Sequence, residues 1–456
     1  MIKENGTKPA KPGLGFRLFS KYLRFFHNKI YYRKVYWLNT ENIPEDNPLM
    51  IVSDHQNCLS DALALLMAIY PTRRKRQHRI LTRASVFKPA FQKALRWIGA
   101  LPAFRMEYDG VETLANNAGT FNEAEEELLQ NGTLIIYPEA GHQDKRWLGT
   151  FSYGYTRLLF NAAEKSNFEK DFFILPSCNH YSGYLDMQED VLIKFGTPIS
   201  IAPFYELYKT KPRTAQRQVN ALVREQISGM MLNITDLDNY EPIDYLRETY
   251  GIKYAETKGY NSDILPEKLL ADQQLFIALE TLKGEQPEQI QTLYEDIRRL
   301  KKETEQFRIK DYCFENPPKA FSLFVKGLLL LLLLPVFLVS CVPNLFIFLS
   351  PRILTRKLND IMFYSSINFG FYILISIPVF YSLTFALIWI FANSVLIALA
   401  YLICIPFLGI FAWYYRKHLL NLLGEWRFNS LFNKGKLKDL IMLRKQIFQS
   451  LDRLLK

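Results

Sequence analysis

A long apolar segment near the C-terminal end constrains the fold of this chain most. From Ile361 to Tyr415 the sequence is almost wholly apolar, with a weak break at Asn393-Ser394. Because one helix crosses a bilayer with about 20 residues, this segment predicts two transmembrane helices, near residues 363–391 and 395–415. The C-terminal part of the chain is therefore expected to form a helical membrane domain. A basic tail, residues 416–456, follows it and is expected on the cytoplasmic side.

A second apolar segment, residues 319–349, precedes these helices and has two interpretations. It is interrupted by Lys326, Pro335 and the pair Pro343-Asn344. If it crossed the bilayer once, the basic loop Arg352–Lys357 and the basic tail would lie opposite the N-terminal part of the chain, against the positive-inside tendency. A proline-bent re-entrant hairpin keeps all the basic segments on one side. We therefore expect the hairpin rather than a single transmembrane crossing.

Strand-like and helical segments alternate between Leu49 and Thr197. The strand-like runs read MIV, HRIL, TLIIY, FFIL and VLIKF, and the helical stretches include residues 88–98, 121–130 and 155–165. This alternation predicts an α/β domain with a mostly parallel sheet flanked by helices, whose ligands bind beyond the strand ends. We place this domain at residues 35–202.

Two further segments flank the predicted α/β domain. Residues 1–34 carry aromatic and basic side chains at helical spacing, which fits an ordinary packed helix or a helix lying in the membrane interface; we expect the interfacial helix. Residues 203–318 are charged and helix-like, with a helix hairpin predicted over Leu265–Lys283 and Glu288–Phe307 around the break GEQP. Their charges fit a solvated surface or a partner-binding one, and we assign no chemistry to them.

The charge balance and the cysteines indicate the class of partner and the compartment. The chain has 56 Lys and Arg against 45 Asp and Glu, a net charge of +11, which suits phosphates, nucleic acid or an anionic membrane surface. Its five cysteines form no CxxC pair, so neither a disulfide framework nor a zinc site is predicted. The N-terminal sequence lacks the apolar core of a signal peptide. We expect reduced thiols and a cytoplasmic N-terminal region.

The turn between the predicted strand Leu49–Val52 and the predicted helix Ala62–Ile69 is the expected place for chemistry. His55 and Asp61 stand at opposite ends of this turn. A carboxylate there can hold one imidazole nitrogen so that the other takes a proton from an alcohol. Cys58 lies between the two and offers an alternative, a thiol nucleophile.

Three later segments follow this turn, which we count as the first segment. The second is GALPAFR (Gly99–Arg105), the third is YPEAGHQ (Tyr137–Gln143) and the fourth is ILPSCNHY (Ile174–Tyr181). In this order and at these intervals, the turn and the three segments resemble the four motifs of the glycerol-phosphate and lysophosphatidate (1-acylglycerol-3-phosphate) acyltransferase family, over about residues 35–200. His55 and Asp61 are separated by one residue more than is usual in that family. This His-x5-Asp spacing is similar to the branch that includes fungal glycerol-3-phosphate acyltransferases and some bacterial relatives.

The resemblance implies a role for each matching residue. It implies that His55 is the general base and that Asp61 orients it and stabilises its charge. Four residues match substrate-binding positions of the family: Arg105, Glu139, Gly141 and Pro176. Arg105 would bind the acceptor phosphate, in agreement with the bidentate grip of a guanidinium on phosphate oxygens. Glu139 and Gly141 would shape the same pocket and Pro176 would set its wall.

The third segment departs from the family pattern. Tyr137 and Ala140 stand where Phe and Gly are usual, with Gly141 one place later. Taken singly, Arg105 also fits a surface ion pair, and Glu139 also fits a cap after the strand. His55, Asp61 and His142 lack an accompanying ligand cluster of closed spacing, so no metal site is predicted.

The function that the resemblance implies is acyl transfer at a membrane. An O-acyltransferase of this kind moves a fatty acyl group from acyl-CoA or acyl carrier protein to a hydroxyl of glycerol-3-phosphate or 1-acylglycerol-3-phosphate, in phosphatidic acid and phospholipid synthesis. Its expected partners are the acyl thioester, the phosphorylated glycerol and membrane lipids, with no nucleic acid, no cofactor and no metal. We expect an integral membrane protein, with its catalytic domain on the cytoplasmic face of a bacterial inner membrane. Two alternatives stay open: a Cys58-dependent thioester hydrolase, and a non-catalytic membrane scaffold that binds anionic lipid.

Overall fold

A computed structural model describes residues 12–73, 78–104, 117–139, 141, 145–355 and 363–455. The chain divides into two compact units. The first comprises the chain up to Asn233 together with a short segment ending at Ser366, and the second comprises the remainder, from Ile234.

The first unit opens with a helix and an edge strand. Helix α1 (Leu14–Phe26) continues into a π-helical turn (His27–Tyr31), and strand β1 (Lys34–Leu38) follows. Phe16 and Phe19 of α1 pack against Trp97, with ring centroids 5.7 and 5.3 Å apart. The helix predicted within residues 1–34 is present; its place in a membrane interface stays a prediction.

Strands and helices then alternate, as predicted. In chain order they are β2 (Leu49–Ser53), α2 (Cys58–Ile69), β3 (Arg79–Arg83), α3 (Gln92–Trp97), β4 (Ala100–Ala103), α4 (Asn117–Leu129), β5 (Thr133–Ile136), α5 (Gly154–Lys165), β6 (Phe173–Tyr181), β7 (Asp190–Phe195), β8 (Ile199–Ser200), α6 (Tyr205–Thr210) and α7 (Pro212–Met230). The helices expected near 88–98, 121–130 and 155–165 correspond to α3, α4 and α5.

Within the described residues, the eight strands form one mixed, mostly parallel sheet. The strand order is β1-β7-β6-β2-β5-β3-β4, with β8 also beside β6. Strand β6 is antiparallel to β7 and β8, and the other pairs are parallel. Val52 in the central strand β2 pairs with Ile136 of β5 and Pro176 of β6. Because these three strands are parallel, their carboxyl ends meet at one edge of the sheet, where α/β proteins bind ligands.

Helix α7 belongs to the first unit, contrary to the predicted domain boundary at residue 202. Its residues Val219, Val223 and Ile227 are fully buried in the same core as α5 and the sheet. Their four-residue spacing puts them on one helix face, so a segment that reads as charged still packs an apolar stripe on the sheet. The boundary between the units therefore falls after Asn233.

The second unit is helical. Its helices are α8 (Tyr240–Thr257), α9 (Leu265–Glu285), α10 (Pro287–Phe307), α11 (Tyr312–Glu315), α12 (Ala320–Thr355), α13 (Phe363–Phe371), α14 (Ser382–Ala392), α15 (Val395–Asn433) and α16 (Lys438–Leu454). The first residues of α13 group with the first unit, and a π-helical segment (Tyr372–Tyr381) joins α13 to α14. The hairpin predicted around GEQP is formed by α9 and α10.

Among the described residues, three helices are long and apolar enough to cross a membrane: Ala320–Leu345, Phe363–Ala392 and Val395–Asn433. The last two match the helices predicted near 363–391 and 395–415, although α15 continues into the segment expected to be a tail. The proline-bent hairpin expected over residues 319–349 is wrong, because α12 is one continuous helix from Ala320 to Thr355.

Helix α12 contains Pro335 and Pro343, and the side chain next to Pro343 makes hydrogen bonds to backbone carbonyls. The amide nitrogen Nδ2 of Asn344 donates to the carbonyls of Ser340 (3.0 Å) and Ile405 (3.3 Å). Pro335 and Pro343 each remove one backbone donor, yet the helix is continuous through both. Near its start, α12 also pairs Lys326 with Glu425 of α15, with Nζ 2.6 Å from Oε2. The first part of α12 and the last part of α15 therefore lie side by side.

Candidate active site

The turn between β2 and α2 brings His55 and Asp61 together. The imidazole nitrogen Nδ1 of His55 lies 2.9 Å from Oδ2 of Asp61. Asp61 stands in the first turn of α2, which begins at Cys58 rather than at the predicted Ala62. The partial positive charge at a helix N-terminus favours a carboxylate in this position.

Asp61 accepts four hydrogen bonds. Its Oδ2 also accepts the backbone N–H groups of Gln56 (2.8 Å) and Asn57 (2.7 Å), and its Oδ1 accepts the hydroxyl of Tyr181 (2.7 Å). Because Oδ2 already accepts two N–H groups, its bond with His55 requires the proton to sit on Nδ1. The second imidazole nitrogen, Nε2, is then the one able to take a proton.

The two side chains differ in their access to solvent. The side chain of His55 is 20% exposed, whereas that of Asp61 is 0% exposed. A buried carboxylate behind a partly exposed imidazole can hold the ring while the ring meets a substrate.

Cys58, at the start of α2, has a backbone conformation that is energetically unfavourable for a non-glycine residue. Cys58 has a φ of +45°, in the left-handed region, and a non-glycine residue there costs about 1–3 kcal/mol. Such a conformation persists only where surrounding contacts determine it. The bonds from Gln56 and Asn57 to Asp61 are contacts of this kind.

Glu139 holds the same turn from the neighbouring strand. It follows β5, and its Oε1 accepts the backbone N–H of His55 (2.8 Å) while its Oε2 accepts that of Gly149 (2.7 Å). Burial raises the pKa of Glu139 to about 7, although both N–H donors favour the carboxylate. Glu139 thus fastens the backbone of His55 to the loop that follows the third segment.

Tyr137 fixes the plane of the imidazole. Its ring stacks on that of His55, with centroids 4.4 Å apart and planes inclined by 27°. The Tyr137 hydroxyl is buried and has no hydrogen-bond partner within the described part of the chain. The contact with His55 therefore depends on the aromatic ring, which the Phe usual at this position in the resembling family would also provide.

Pro176, another predicted substrate-binding residue, does not contribute to the hydrogen bonds of this cluster. Pro176 is buried in β6, level with Val52, and its carbonyl accepts the N–H of Gly196 (2.8 Å); it lies within the sheet rather than in the turn. Gly141 is half-buried. Arg105 and His142 lie outside the described residues.

Two residues of the site were missed from the sequence. Tyr181 ends the fourth segment and lies at the end of β6, where its hydroxyl donates to Asp61 (2.7 Å). Asp54, next to His55, accepts the N–H of Asn179 at 2.8 Å, and burial raises the pKa of Asp54 well above its usual range. The available signal was that β2 and β6 are both apolar strands followed by polar residues, which parallel pairing brings to one edge.

Arg146 extends the site on the side of β6. It is buried, its guanidinium donates to the Tyr181 carbonyl (3.2 Å) and lies 5.0 Å from the centroid of the Tyr184 ring. The Tyr184 hydroxyl in turn donates to Oε1 of Gln56 (2.7 Å). Through these contacts a basic residue near the third segment supports the turn.

No group of three or more His, Cys, Asp or Glu side chains in the described ranges is arranged to hold a metal ion. The chemistry that the observed residues can perform is proton abstraction by His55 from a hydroxyl group, with Asp61 holding the ring.

One region of the chain matches a known protein family. A family model described as Acyltransferase matches residues 34–179. A search of curated proteins finds no match. Among solved structures, the chain is similar to the crystal structure of the 1-acyl-sn-glycerophosphate (LPA) acyltransferase PlsC from Thermotoga maritima, at 16% identity and a TM-score of 0.33, over 46% of this chain and 79% of that one.

The region matched by the family model runs from the first residue of β1 to Asn179 in β6, and it contains the turn, Tyr137 and Glu139. Residues 34–179 of this chain therefore form a domain that matches the acyltransferase family model.

Proposed function

We propose that the protein transfers a fatty acyl group from acyl-CoA or acyl carrier protein to a hydroxyl of glycerol-3-phosphate or 1-acylglycerol-3-phosphate, in phosphatidic acid and phospholipid synthesis. The observation that supports this most is the 2.9 Å hydrogen bond between His55 and Asp61 inside an acyltransferase domain. An alcohol is a poor nucleophile at neutral pH, so transfer to a hydroxyl needs a positioned base of this kind.

In the proposed mechanism, Nε2 of His55 takes the hydroxyl proton while the hydroxyl oxygen attacks the thioester carbonyl. Asp61 holds Nδ1–H and stabilises the imidazolium that forms. Collapse of the tetrahedral intermediate breaks the carbon–sulfur bond, and the imidazolium returns its proton to the leaving thiolate. The products are an ester and a free thiol, and the base is regenerated.

The phosphate of the acceptor is assigned to Arg105 by its position in the second motif. Arg105 follows Phe104, whose backbone N–H and carbonyl are both bonded to the side-chain amide of Asn117, each at 2.8 Å. A guanidinium suits this role because its planar fork matches two phosphate oxygens. Glu139 acts in this proposal by fixing the backbone of His55.

The membrane helices suit the proposed substrates. Fatty acyl chains and 1-acylglycerol-3-phosphate partition into bilayers, and three helices of the described chain are long and apolar enough to cross one. We assign the catalytic domain to the cytoplasmic face of a bacterial inner membrane, because acyl thioesters are made in the cytoplasm and the chain carries a net charge of +11.

An assay of the purified full chain tests the proposal. Each of the two acceptors is combined with each of the two donors, and both the release of free thiol and the formation of the ester are followed. We expect ester formation with at least one pair, and ester formation about 100- to 10,000-fold slower with His55→Ala. Thiol release with free fatty acid and no ester would support the hydrolase instead, and no turnover with any pair would refute the proposal.

A further inference from the structure

Residues far along the chain contact the first turn of α2. The backbone N–H of Leu59 donates to Oγ of Ser366 at 3.0 Å, across 307 positions of sequence. The neighbouring Ser365 brings its Oγ within 3.2 Å of Oγ of Ser60. All four residues belong to the first unit, although the two serines stand in α13, at the start of an apolar helix.

The bond from Leu59 supplies a capping interaction that the side chain of the N-cap residue of α2 does not make. The first N–H groups of a helix have no partner within the helix, and an N-cap side chain usually accepts one of them. At the N-cap of α2, the Asn57 side chain makes no capping bond; its amide group donates to the carbonyl of Tyr184 (3.0 Å) instead. The hydroxyl of Ser366 takes the place of the missing cap.

A second set of bonds fixes the segment that carries Ser366. The hydroxyl of Tyr31 donates to the carbonyl of Ser365 (3.1 Å) and lies 3.2 Å from its Oγ. Tyr31, Ser60, Ser365 and Ser366 are all buried, at 1%, 2%, 1% and 6% exposure. Because buried hydroxyls are costly to leave unpaired, this arrangement holds the start of α13 against the turn.

The capped turn is the one that carries the proposed base and its partner. Asp61 lies two residues after Leu59. Cys58, immediately before Leu59, has the left-handed backbone conformation. Any loosening of the first turn of α2 would move Asp61 relative to His55, where a displacement of about 1 Å can cost 100-fold in rate.

We propose that Ser366 is a positioning residue of the acyltransferase: it caps the helix that carries Asp61, so that the first residues of α13, which group with the first unit, complete the catalytic turn. This inference depends on the proposed function for its kinetic consequence. The hydrogen bond between Ser366 and Leu59 does not depend on the proposed function, and hydrogen exchange at Leu59 measures it separately.

The test compares Ser366→Ala with Ser376→Ala in the full-length protein in detergent micelles. Ser376 is a matched control: it stands in the same helical run, is 0% exposed, and its hydroxyl has no hydrogen-bond partner in the part of the chain that the structure describes. Hydrogen exchange of the peptide that contains Leu59 is read by mass spectrometry. We expect Ser366→Ala to accelerate exchange there by about 3- to 30-fold, the range that loss of a helix cap allows, and Ser376→Ala to leave it unchanged.

Kinetics then test the positioning role. With the acceptor and donor pair that turns over, Ser366→Ala should lower kcat by a similar factor and leave both KM values unchanged, because Ser366 holds Asp61 and not a substrate. Ser366→Thr, which keeps the hydroxyl, should restore both exchange and kcat.

Three results would overturn the inference: unchanged exchange at Leu59 in Ser366→Ala, equal acceleration in Ser376→Ala, or accelerated exchange with kcat unaltered. If the wild-type protein turns over no acceptor, the proposed function fails, while the exchange measurement still decides whether Ser366 caps the turn.

Discussion

Glu139 should make the stability of the protein depend on pH, and a single substitution should remove that dependence. Folding raises the pKa of this carboxyl from 4.5 to about 7, chiefly by burial. A carboxyl with a raised pKa in the folded state binds its proton more tightly there than in the unfolded chain. Its contribution to stability is therefore complete below pH 4.5 and is lost as the pH rises through 7.

The size of this effect follows from the shift. Each pKa unit corresponds to about 1.4 kcal/mol, so Glu139 should lower the free energy of unfolding by about 2–3 kcal/mol between pH 5 and pH 8. Glu139→Gln removes the titration. It also removes one of two acceptors, because the amide nitrogen of Gln cannot accept the N–H of either His55 or Gly149, a cost of about 1–3 kcal/mol at every pH.

The two effects together predict a crossover. Glu139→Gln should be less stable than the wild type at pH 5 and of equal or greater stability at pH 8. For a domain of this size, the difference in Tm between the two proteins should change by roughly 5–10 °C over that interval. Thermal unfolding of the purified chain in one detergent at both pH values measures it, with the exposed Glu126→Gln as the control for loss of a negative charge.

A Tm difference that does not change with pH would refute this reasoning about Glu139. It would mean that the carboxyl stays in one protonation state across the range, and that its two N–H bonds outweigh its burial.

Three further predictions concern single residues. Tyr181→Phe should lower kcat by about 10-fold, because it removes the 2.7 Å hydrogen bond to Asp61 and a loss of about 1.4 kcal/mol corresponds to tenfold in rate. Tyr205→Phe is the control and should leave kcat unchanged, because the Tyr205 hydroxyl donates to the carbonyl of Lys170 and not to Asp61. Arg105→Ala should raise the KM for the phosphorylated acceptor and leave the donor KM nearly unchanged, with Arg105→Lys rescuing only in part; equal changes in both constants would indicate a structural arginine. Cys58→Ser should keep near-normal turnover, and its complete loss in a folded protein would favour the thiol mechanism.

The alternation of apolar strands and helices was sufficient to predict the mostly parallel sheet. Parallel pairing depends on local patterns that repeat along the chain, so His55 and Glu139 could be expected at one edge. Their actual bond, from a backbone N–H to a carboxylate, could not be expected, because it depends on the conformation of the turn. The start of α2 was missed for the same reason: Asp61 satisfies the N–H groups that precede it.

Contacts across long sequence distances account for the remaining differences. Tyr181 meets Asp61 through the register of β6 with β2, and Ser366 meets Leu59 from a helix that reads only as apolar. In α12, the side chain of Asn344 bonds to carbonyls of two helices, a contact that the sequence of α12 alone does not predict. The pattern of apolar and polar residues predicts the secondary structure of a single segment. These contacts depend instead on which distant residues the fold brings next to that segment.

The central claim is that His55 and Asp61 act as one unit in proton transfer, and a double-mutant cycle on kcat tests it most directly. His55→Ala should lower kcat by about 100- to 10,000-fold, the usual contribution of a positioned base, in a protein that still folds. Asp61→Asn should also be severe, because the amide cannot stabilise an imidazolium. The double mutant should be about as slow as the slower single mutant. Losses that multiply would contradict the central claim, because they would mean that the two residues act independently.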